Sequence, residues 1–331
     1  LSASAGIARF PDDARDTGEL LRHADIALYH AKKRGKDCFL LFEAQMTTRF
    51  SERAALEQAL RNAIADEKIS IALQPLVDLR TEKIVALEAL ARWHHPEFGT
   101  VPPAQFIPVA EDCGLILDLG DAVLRQSCRH LAEWSKTGVP LVPISINVSA
   151  QQLQRTNLKD RIVAVTSEFG VAPHLLGIEL TESVVMSEIE RHIGTLEALR
   201  NLGVKVSIDD FGTGYSSLSY LKHLPIDYLK IDRSFVRDMT TDDNDAAIVS
   251  AIVNMARSLR LGTIAEGVET LEQVHRLSAL GCDIAQGYYY ASPLPAAECA
   301  QMLTELGRLG RQTDSFETLK IDDTNRMSGV A

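Results

Sequence analysis

The sequence lacks the features of a thiol-based metal site, a disulfide scaffold or a membrane-spanning segment. Its five cysteines are scattered through 331 residues without the paired spacing of zinc motifs, as expected for reduced thiols in a cytosol. No apolar run reaches the roughly 18 residues that cross a bilayer, and the N-terminus has no charged-then-apolar signal pattern. We therefore predict a soluble, cytoplasmic fragment, since the chain begins at Leu1; the full-length protein could be membrane-anchored through a missing N-terminal region.

The chain is also poor in positive charge. Its 34 lysines and arginines against 45 aspartates and glutamates give a net charge of −11 at pH 7. This balance argues against nonspecific binding to a nucleic-acid backbone, so we expect no DNA partner. An anionic ligand would also be repelled, unless metal ions or local arginines reverse the sign of the charge at its binding site.

From Ile69 onward, the chain repeats an apolar strand-like run that ends in a polar residue and leads into a helical segment. Eight such runs within roughly 240 residues match the size of a TIM barrel, and their nearly continuous apolar character is typical of a parallel sheet covered by helices. Only Asp78 to Lys83 separate the first two runs, too few for a parallel crossover. The sequence therefore predicts an α/β, TIM-like (β/α)8 barrel with an antiparallel first strand, which brings Gln74 to the same rim as Glu88.

Polar side chains collect at the ends of these runs, where TIM barrels carry their active sites. Seven residues lie in or just after a predicted strand, namely Glu88, Asn147, Glu179, Asp209, Lys230, Glu266 and Gln286. The potential metal ligands among them are oxygen donors, which favours magnesium or manganese over zinc. Any one of them could be a structural hydrogen bond or salt bridge, but seven at successive strands indicate a site.

Two adjacent carboxylates form the centre of the stretch 207–218. Asp209 and Asp210 end an alternating apolar run, and Gly212 and Gly214 then allow a sharp turn and a close approach to a ligand. The last residue of a strand and the first residue of a loop can converge on one site. Because two neighbouring carboxylates repel unless a cation lies between them, the pair suggests a divalent metal. The alternative is a solvated Asp-Asp turn.

The N-terminal region is too short to form a core of its own. We predict a strand at 3–10, an amphipathic helix at 17–34 and a second strand at 39–42, which together form a small α/β remnant of a larger domain. A polar segment with one apolar stripe then suits a connecting helix. The predicted segments are the remnant at 1–42, the connecting helix at 43–67, the barrel at 68–309 and a polar, mobile tail at 310–331.

Several blocks of the sequence resemble the EAL-domain family of cyclic di-GMP phosphodiesterases, over about residues 55 to 305. In chain order these blocks are Q-P, E-A-L-A-R-W, F-I-P-V-A-E, I-N-V-S, E-L-T-E, D-D-F-G-T-G-Y-S-S-L, L-K-I-D-R-S-F-V, A-E-G-V-E-T and Q-G-Y-Y. The N-terminal blocks S-A-S-A-G-I-A-R-F-P and L-L-R-H-A-D-I-A-L-Y-H-A-K-K-R-G-K-D resemble the C-terminal part of a GGDEF (diguanylate cyclase) domain. The signature loop of that domain is absent, so we expect upstream sensory or GGDEF domains to be missing from this chain.

The resemblance implies a metal-dependent, cyclic-guanylate-specific phosphodiesterase. It would open one phosphodiester bond of cyclic di-GMP to give linear pGpG, with two Mg²⁺ or Mn²⁺ ions per site, and would lower the level of this bacterial second messenger. Because Ca²⁺ accepts more oxygens at longer distances than Mg²⁺, we expect Ca²⁺ to bind and to inhibit. The resemblance also makes a homodimer through the barrel an expectation.

The roles implied by the resemblance are carried over position by position. One metal is held by Glu88, Asn147, Glu179 and Asp209, and the second by Asp209 and Asp210. Lys230 holds the attacking water and Glu266 is its general base. The remaining roles are a loop contact for Glu182, a water-mediated metal contact for Gln286, and dinucleotide contacts for Gln74 and Arg92.

Two other classes of function remain open. A degenerate EAL domain could sense cyclic di-GMP without cleaving it, although such domains usually lose a metal ligand or the loop glutamate and this chain has both. An unrelated carboxylate–metal barrel, such as an enolase-type enzyme with Lys230 as its base, would have no use for Gln74 and Arg92. The chain also departs from the family at Leu73, where an aromatic residue is common, and at Ala291, where the block after Q-G-Y-Y reads Y-A-S-P-L-P. Both changes could weaken ligand stacking or phosphate contacts, and neither touches the metal set.

Overall fold

The computed structural model describes residues 2–35, 37–155, 157–187, 189–214 and 221–309. These residues form two compact units. One contains the described residues up to Asp66 together with Ala104–Cys113, and the other contains the rest. The predicted mobile tail, residues 310–331, lies outside the described residues.

The N-terminal unit is built on two short parallel strands, β1 (Ala5–Ile7) and β2 (Phe39–Leu41), which are joined by helix α1 (Thr17–Lys33). Helix α2 (Ala44–Ala65) follows, and helix α3 (Pro103–Cys113) belongs to the same unit. The strand–helix–strand order predicted for the α/β remnant is therefore present. Its small core consists of Ile26, Ala27, Phe42 and Met46.

Helix α3 is tied to this unit by charge. Asp112, near its end, contacts Lys33 of α1 and Arg53 of α2. No helix is predicted for this segment from the sequence, because it contains Pro108 and proline removes one backbone hydrogen-bond donor.

The second unit contains a closed barrel of eight strands. All its strands, in chain order, are β3 (Ile69–Asp78), β4 (Ile84–His95), β5 (Gly99–Val101), β6 (Ile144–Asn147), β7 (Leu176–Thr181), β8 (Lys205–Phe211), β9 (Tyr228–Ile231), β10 (Gly262–Ala265), β11 (Ile284–Ala285) and β12 (Leu294–Pro295). From β4 through β6 to β11 each barrel strand is parallel to its neighbour, whereas β3 is antiparallel to both β4 and β11 and closes the ring. The predicted barrel with an antiparallel first strand is confirmed. The short strand β5 pairs antiparallel with β4, and the short strand β12 pairs antiparallel with β3.

Helices surround this barrel and bury its apolar outer surface. They are α4 (Ile116–Thr137), α5 (Ala150–Arg155), α6 (Leu158–Phe169), α7 (Glu182–Ser187), α8 (Ile189–Asn201), α9 (Arg233–Asp238), α10 (Asp243–Leu259), α11 (Leu271–Leu280) and α12 (Ala296–Leu309), with a 3₁₀ turn at Pro173–Leu175. Within the described part of the chain, no helix combines the length and apolar character needed to cross a membrane.

The topology brings the polar residues of the strands to one rim. Parallel strands present their carboxyl ends at the same edge of a barrel, and the antiparallel β3 contributes its middle residues there. Gln74 is paired directly with Glu88 across the β3–β4 hairpin, and so lies at the same rim as Glu88, as predicted.

Candidate active site

Lys230 of β9 lies among the predicted rim residues and is fully buried. Its Nζ lies 2.5 Å from Glu266 Oε1, 3.1 Å from Asp209 Oδ1 and 3.5 Å from Glu88 Oε2, and it also contacts Glu179 Oε2. Burial by itself would lower the pKa of Lys230, but the four carboxylates overcome this effect and raise that pKa well above its ordinary value. The ammonium is therefore charged, and the site holds it by ion pairing.

The carboxylates around this ammonium carry more negative charge than it can neutralise. Burial, followed by repulsion from Glu88, raises the pKa of Glu179 well above its ordinary value despite the opposing effect of Lys230. Burial likewise raises the pKa of Glu266 to about 8, with Asp209 adding to the shift and Lys230 opposing it. Such shifts mean that ionised carboxylates are costly here unless a further cation is bound.

Amide side chains fix the carboxylate of Glu88. Asn147 Nδ2 donates to Glu88 Oε1 at 2.7 Å, and Gln286 Nε2 donates to Glu88 Oε2 at 2.7 Å. Gln286 Nε2 also donates to Gln74 Oε1 at 3.0 Å, while Gln74 Nε2 donates to the carbonyl oxygen of Ala291 at 3.1 Å. Both ends of the Gln74 amide are therefore engaged within the protein, and its side chain is buried.

Asp209 and Asp210 converge because β8 is irregular at this point. The prediction placed Asp210 in a loop after the strand, but the strand continues to Phe211 and its register with β9 shifts between Ile208 and Phe211. Asp210 has a φ of 53°, in the left-handed region that few residues other than glycine adopt. As a result, Asp209, Asp210 and Glu266 each offer an oxygen within 4.8 Å of the other two.

The donor set fits a divalent metal. Glu179 Oε1 and Gln286 Oε1 are buried and have no hydrogen-bond partner among the residues that the structure describes. A buried oxygen without a partner is costly, and coordination to a metal would satisfy it. Carboxylate and amide oxygens are the ligands that hard divalent cations prefer. The geometry adds Glu266, predicted only as a general base, to the groups that could reach such an ion.

Glu182, the first residue of α7, is placed beside the loop that follows the two aspartates. Its side chain is buried, and Glu182 Oε2 accepts a hydrogen bond from the backbone N–H of Gly212 at 3.0 Å. A Cβ atom at Gly214 would overlap the Glu182 carboxylate. The glycine therefore allows the backbone to approach Glu182 closely, whereas the sequence predicted a close approach to a ligand. The part of the predicted loop from 215 onward lies outside the described residues.

Sequence analysis missed Asp232, which directly follows β9. Its carboxyl group adds to burial and to Asp209 in raising the pKa of Asp210. Asp232 Oδ1 also accepts from the backbone N–H of Ser234 at 2.9 Å and so caps α9. The signal was available, because an aspartate directly after a barrel strand is the pattern that identified the other rim residues.

Arg92 and Leu73 occupy different environments. Arg92, four residues after Glu88 on β4, is half-buried, and its Nη1 donates to the carbonyl oxygen of Ala91 at 3.0 Å. Leu73 is fully buried in the barrel core, where it pairs with Ala89. The departure at Leu73 therefore lies in the packed core of the barrel, and its effect on ligand stacking stays a prediction.

Known families match both parts of this chain. The EAL domain family matches residues 57–293, and the diguanylate cyclase GGDEF domain family matches residues 1–38. The bifunctional diguanylate cyclase/cyclic di-GMP phosphodiesterase MucR of Pseudomonas aeruginosa is 42% identical over 298 residues, 90% of this chain and 44% of that protein. The cyclic di-GMP phosphodiesterase NbdA of the same organism is 40% identical over 303 residues, 92% of this chain and 39% of that protein. The chain thus spans less than half the length of these curated relatives.

Solved structures of EAL proteins share the fold. The PaMucR phosphodiesterase in complex with cyclic di-GMP matches with a TM-score of 0.71 and 42% identity, covering 74% of this chain and 99% of that one. The EAL domain of Mycobacterium smegmatis DcpA matches with a TM-score of 0.60 and 37% identity, covering 71% of this chain and 95% of that one. The FimX EAL domain of Pseudomonas aeruginosa bound to cyclic di-GMP, at 24% identity and a TM-score of 0.66, covers 72% of this chain and 96% of that one and supports the fold alone.

Proposed function

This chain belongs to the EAL domain family, and from that premise we propose that it hydrolyses one phosphodiester bond of cyclic di-GMP to give linear pGpG. Such an activity would lower the level of this second messenger in bacterial signalling. The observation that supports it most is the buried cluster in which four carboxylates surround Lys230 and offer more negative charge than the ammonium neutralises.

We propose that the cluster binds two divalent ions, Mg²⁺ or Mn²⁺. We assign the first ion to Glu88, Asn147, Glu179 and Asp209, and the second to Asp209 and Asp210. When bound, these ions would activate a water molecule and neutralise the phosphodiester that the acidic rim would otherwise repel. Glu266 lies beside the two aspartates, within reach of the same space.

The protein's own groups position and deprotonate the attacking water. Lys230 Nζ donates a hydrogen bond to its oxygen and holds it in line with the phosphorus. Glu266, whose Oε1 lies 2.5 Å from Lys230 Nζ, accepts its proton as the new oxygen–phosphorus bond forms. The bond from phosphorus to one ribose oxygen breaks in the same displacement, and this leaving oxygen takes a proton from solvent. Glu182 holds the start of the loop after Asp210 through the N–H of Gly212.

The remaining side chains orient the metal ligands and the dinucleotide. Asn147 and Gln286 fix the Glu88 carboxylate from both of its oxygens, and we propose that Gln286 also reaches a metal through water. Arg92 and Gln74 remain proposed dinucleotide contacts, although the Gln74 amide already makes two hydrogen bonds within the protein. We also propose a homodimer formed through the barrel.

Turnover of cyclic di-GMP tests this function. Product pGpG is expected with Mg²⁺ or Mn²⁺ and is expected to disappear with a chelator or when Ca²⁺ replaces Mg²⁺. Binding of cyclic di-GMP without product in any of these metals would identify a sensor module instead. Absence of both binding and turnover would refute the proposal.

A further inference from the structure

A cleft of about 580 Å³ lies on the outer side of the barrel, between helix α5 and the N-terminal parts of α4 and α6. Its inner wall is apolar and includes Leu124, Ile146 and Leu158, which are only 2 to 5% exposed. Pockets that bind small ligands usually have volumes of roughly 300–1,000 Å³ and mainly apolar walls. The cleft therefore has the size and the lining of a ligand site.

Strand β6 separates this cleft from the candidate active site. Ile146 lines the cleft, whereas the next residue, Asn147, bonds Glu88 at the rim of the barrel. Successive side chains of a strand point to opposite faces. A molecule in the cleft would therefore contact the outer face of β6, and the residues that line the cleft include none of the carboxylates around Lys230.

Polar contacts hold the walls of the cleft in place. A Cβ atom at Gly120 of α4 would overlap the side-chain amide of Gln152 in α5. Gln152 Oε1 accepts from the backbone N–H and the hydroxyl of Ser149, each at 3.0 Å. Arg161 Nη2 of α6 donates to Asp121 Oδ2 of α4 at 2.6 Å. The three helices are therefore tied together around the cleft, and this preorganisation favours binding.

The cleft also carries an excess of negative charge. Three aspartates and one arginine line it, which gives a net charge of −2. Asp121 is paired with Arg161, but Asp118 and Asp160 have no cationic partner among the residues that the structure describes. Both lie in the first turn of a helix, where the helix dipole favours a carboxylate. Such acidic residues are common on helices, so their charge indicates a ligand only because a preformed cleft lies beside them.

A bare metal ion does not suit this arrangement. In the described part of the chain, the acidic groups that approach closely enough to share a metal ion are Asp209, Asp210 and Glu266 of the candidate active site, and the aspartates of the cleft form no such group. A cation that reaches separated carboxylates and also covers an apolar wall must be larger than a metal ion. The cleft therefore favours an organic cation with an apolar body.

We propose that the cleft binds a small organic cation. Its ammonium or guanidinium group lies near Asp118 and Asp160, and its aliphatic or aromatic body lies against Leu124, Ile146 and Leu158. An anion would be repelled by the carboxylates, and a neutral molecule of the same shape would make the apolar contacts alone. The inference goes beyond the proposed function and does not depend on hydrolysis of cyclic di-GMP.

Three ligands of one shape test the proposal by isothermal titration calorimetry of the full chain. They are phenylbutylammonium, phenylbutanol and phenylbutyrate, which carry a positive charge, no charge and a negative charge. The cation is expected to bind at one site, roughly 5-fold more tightly than the alcohol, and the anion is expected not to bind. Equal affinities for the cation and the alcohol, or no saturable binding of the cation, would overturn the proposal.

Variants locate the site. Ala164→Trp introduces a large ring into the cleft from an exposed position on α6 and should abolish binding. The double variant Asp118→Asn, Asp160→Asn should weaken binding of the cation roughly 5-fold and leave binding of the alcohol unchanged. Glu272→Gln removes an exposed first-turn carboxylate of α11; it is the matched control and should change neither affinity.

Circular dichroism shows whether Ala164→Trp is folded, and if it is not, the double aspartate variant decides. Cation binding that persists in folded Ala164→Trp would overturn the assignment to this cleft. An affinity for the cation that the double aspartate variant leaves unchanged would do the same.

Discussion

Two clusters of charged side chains in this chain differ in the sign of their excess charge and in their exposure to water. In the barrel, four carboxylates surround Lys230, whose side chain is 1% exposed. In the N-terminal unit, Lys33 and Arg53 share one carboxylate, that of Asp112, and these three side chains are 30 to 39% exposed. The first cluster has an excess of negative charge away from water, and the second has an excess of positive charge in contact with it.

Exposure to water determines how much each cluster can contribute to the stability of the protein. An exposed ion pair is screened by water and stabilises a protein by about 0–1 kcal/mol. The Asp112 cluster can therefore contain unequal numbers of positive and negative groups at little cost in stability. A buried excess of charge has no such screening, and the raised pKa values of Glu179 and Glu266 are its consequence. The barrel cluster is therefore poorly explained as a device for stability, and is well suited to binding cations.

Among the tests of this comparison, replacement of Lys230 is expected to have the largest effect on stability and on hydrolysis. Lys230→Met keeps a long side chain but leaves the carboxylates without their ammonium, at a cost of about 3–5 kcal/mol to the metal-free fold. Hydrolysis of cyclic di-GMP should fall on the order of 10²-fold or more, because the attacking water loses its donor. Chemical denaturation and product chromatography measure the two effects.

The matched control for Lys230 is Lys205→Met. Lys205 pairs with Asp227 at 3.1 Å, but its side chain is 53% exposed, so its loss should change stability by less than about 1 kcal/mol. Mg²⁺ should raise the Tm of Lys230→Met more than that of wild type, since the ion then replaces the missing cation. No increase in the Tm of wild type with Mg²⁺ would contradict the view that the carboxylates carry an unneutralised excess.

The two aspartates of β8 divide the excess charge between two proposed ions. Asp210→Asn should preserve the first ion and much of the affinity for cyclic di-GMP, yet lower turnover on the order of 10²-fold because one ion is lost. Asp209→Asn should damage both, since its carboxylate is assigned to both ions. Binding in Ca²⁺ and hydrolysis in Mg²⁺ are measured for each variant. Near wild-type turnover by Asp210→Asn would refute the two-ion assignment.

The pH dependence of stability tests the excess charge through Glu266. Its pKa is raised from 4.5 to about 8, first by burial. A raised folded pKa contributes stability that is fully present below the unfolded pKa and is lost as the pH rises toward the folded value. Between about pH 6 and 8, the Tm of metal-free wild type should therefore fall more than that of Glu266→Gln. Parallel curves would mean that Glu266 is ionised across this range.

Much of the barrel cluster follows from sequence because its members obey one rule. Glu88, Glu179 and Lys230 lie on barrel strands, and the architecture brings them to one rim whatever the details of packing. The short connection after Asp78 sufficed to predict the antiparallel β3. Asp232 obeyed the same rule and could have been included.

Features set by distant partners could not be predicted. The bend at Asp210 depends on the register of β8 against β9, which no local pattern encodes. The close packing of Gly214 on Glu182 joins residues 32 positions apart. Helix α3 contains Pro108, and the contacts of Asp112 link three helices that lie far apart in the chain.

The smallest effect is expected at the exposed cluster. Asp112→Ala removes the carboxylate that Lys33 and Arg53 share, but both cations remain solvated, so the loss should be within about 1 kcal/mol. It should also vanish near 1 M salt, where the Debye length is about 3 Å. Asp121→Ala in the barrel, which removes the partner of the similarly exposed Arg161, should behave alike under chemical denaturation. If Asp112→Ala instead destabilises the chain as strongly as Lys230→Met and does so at high salt, then solvent exposure is not what separates the two clusters, and Asp112 fixes α3 by a contact that water does not weaken.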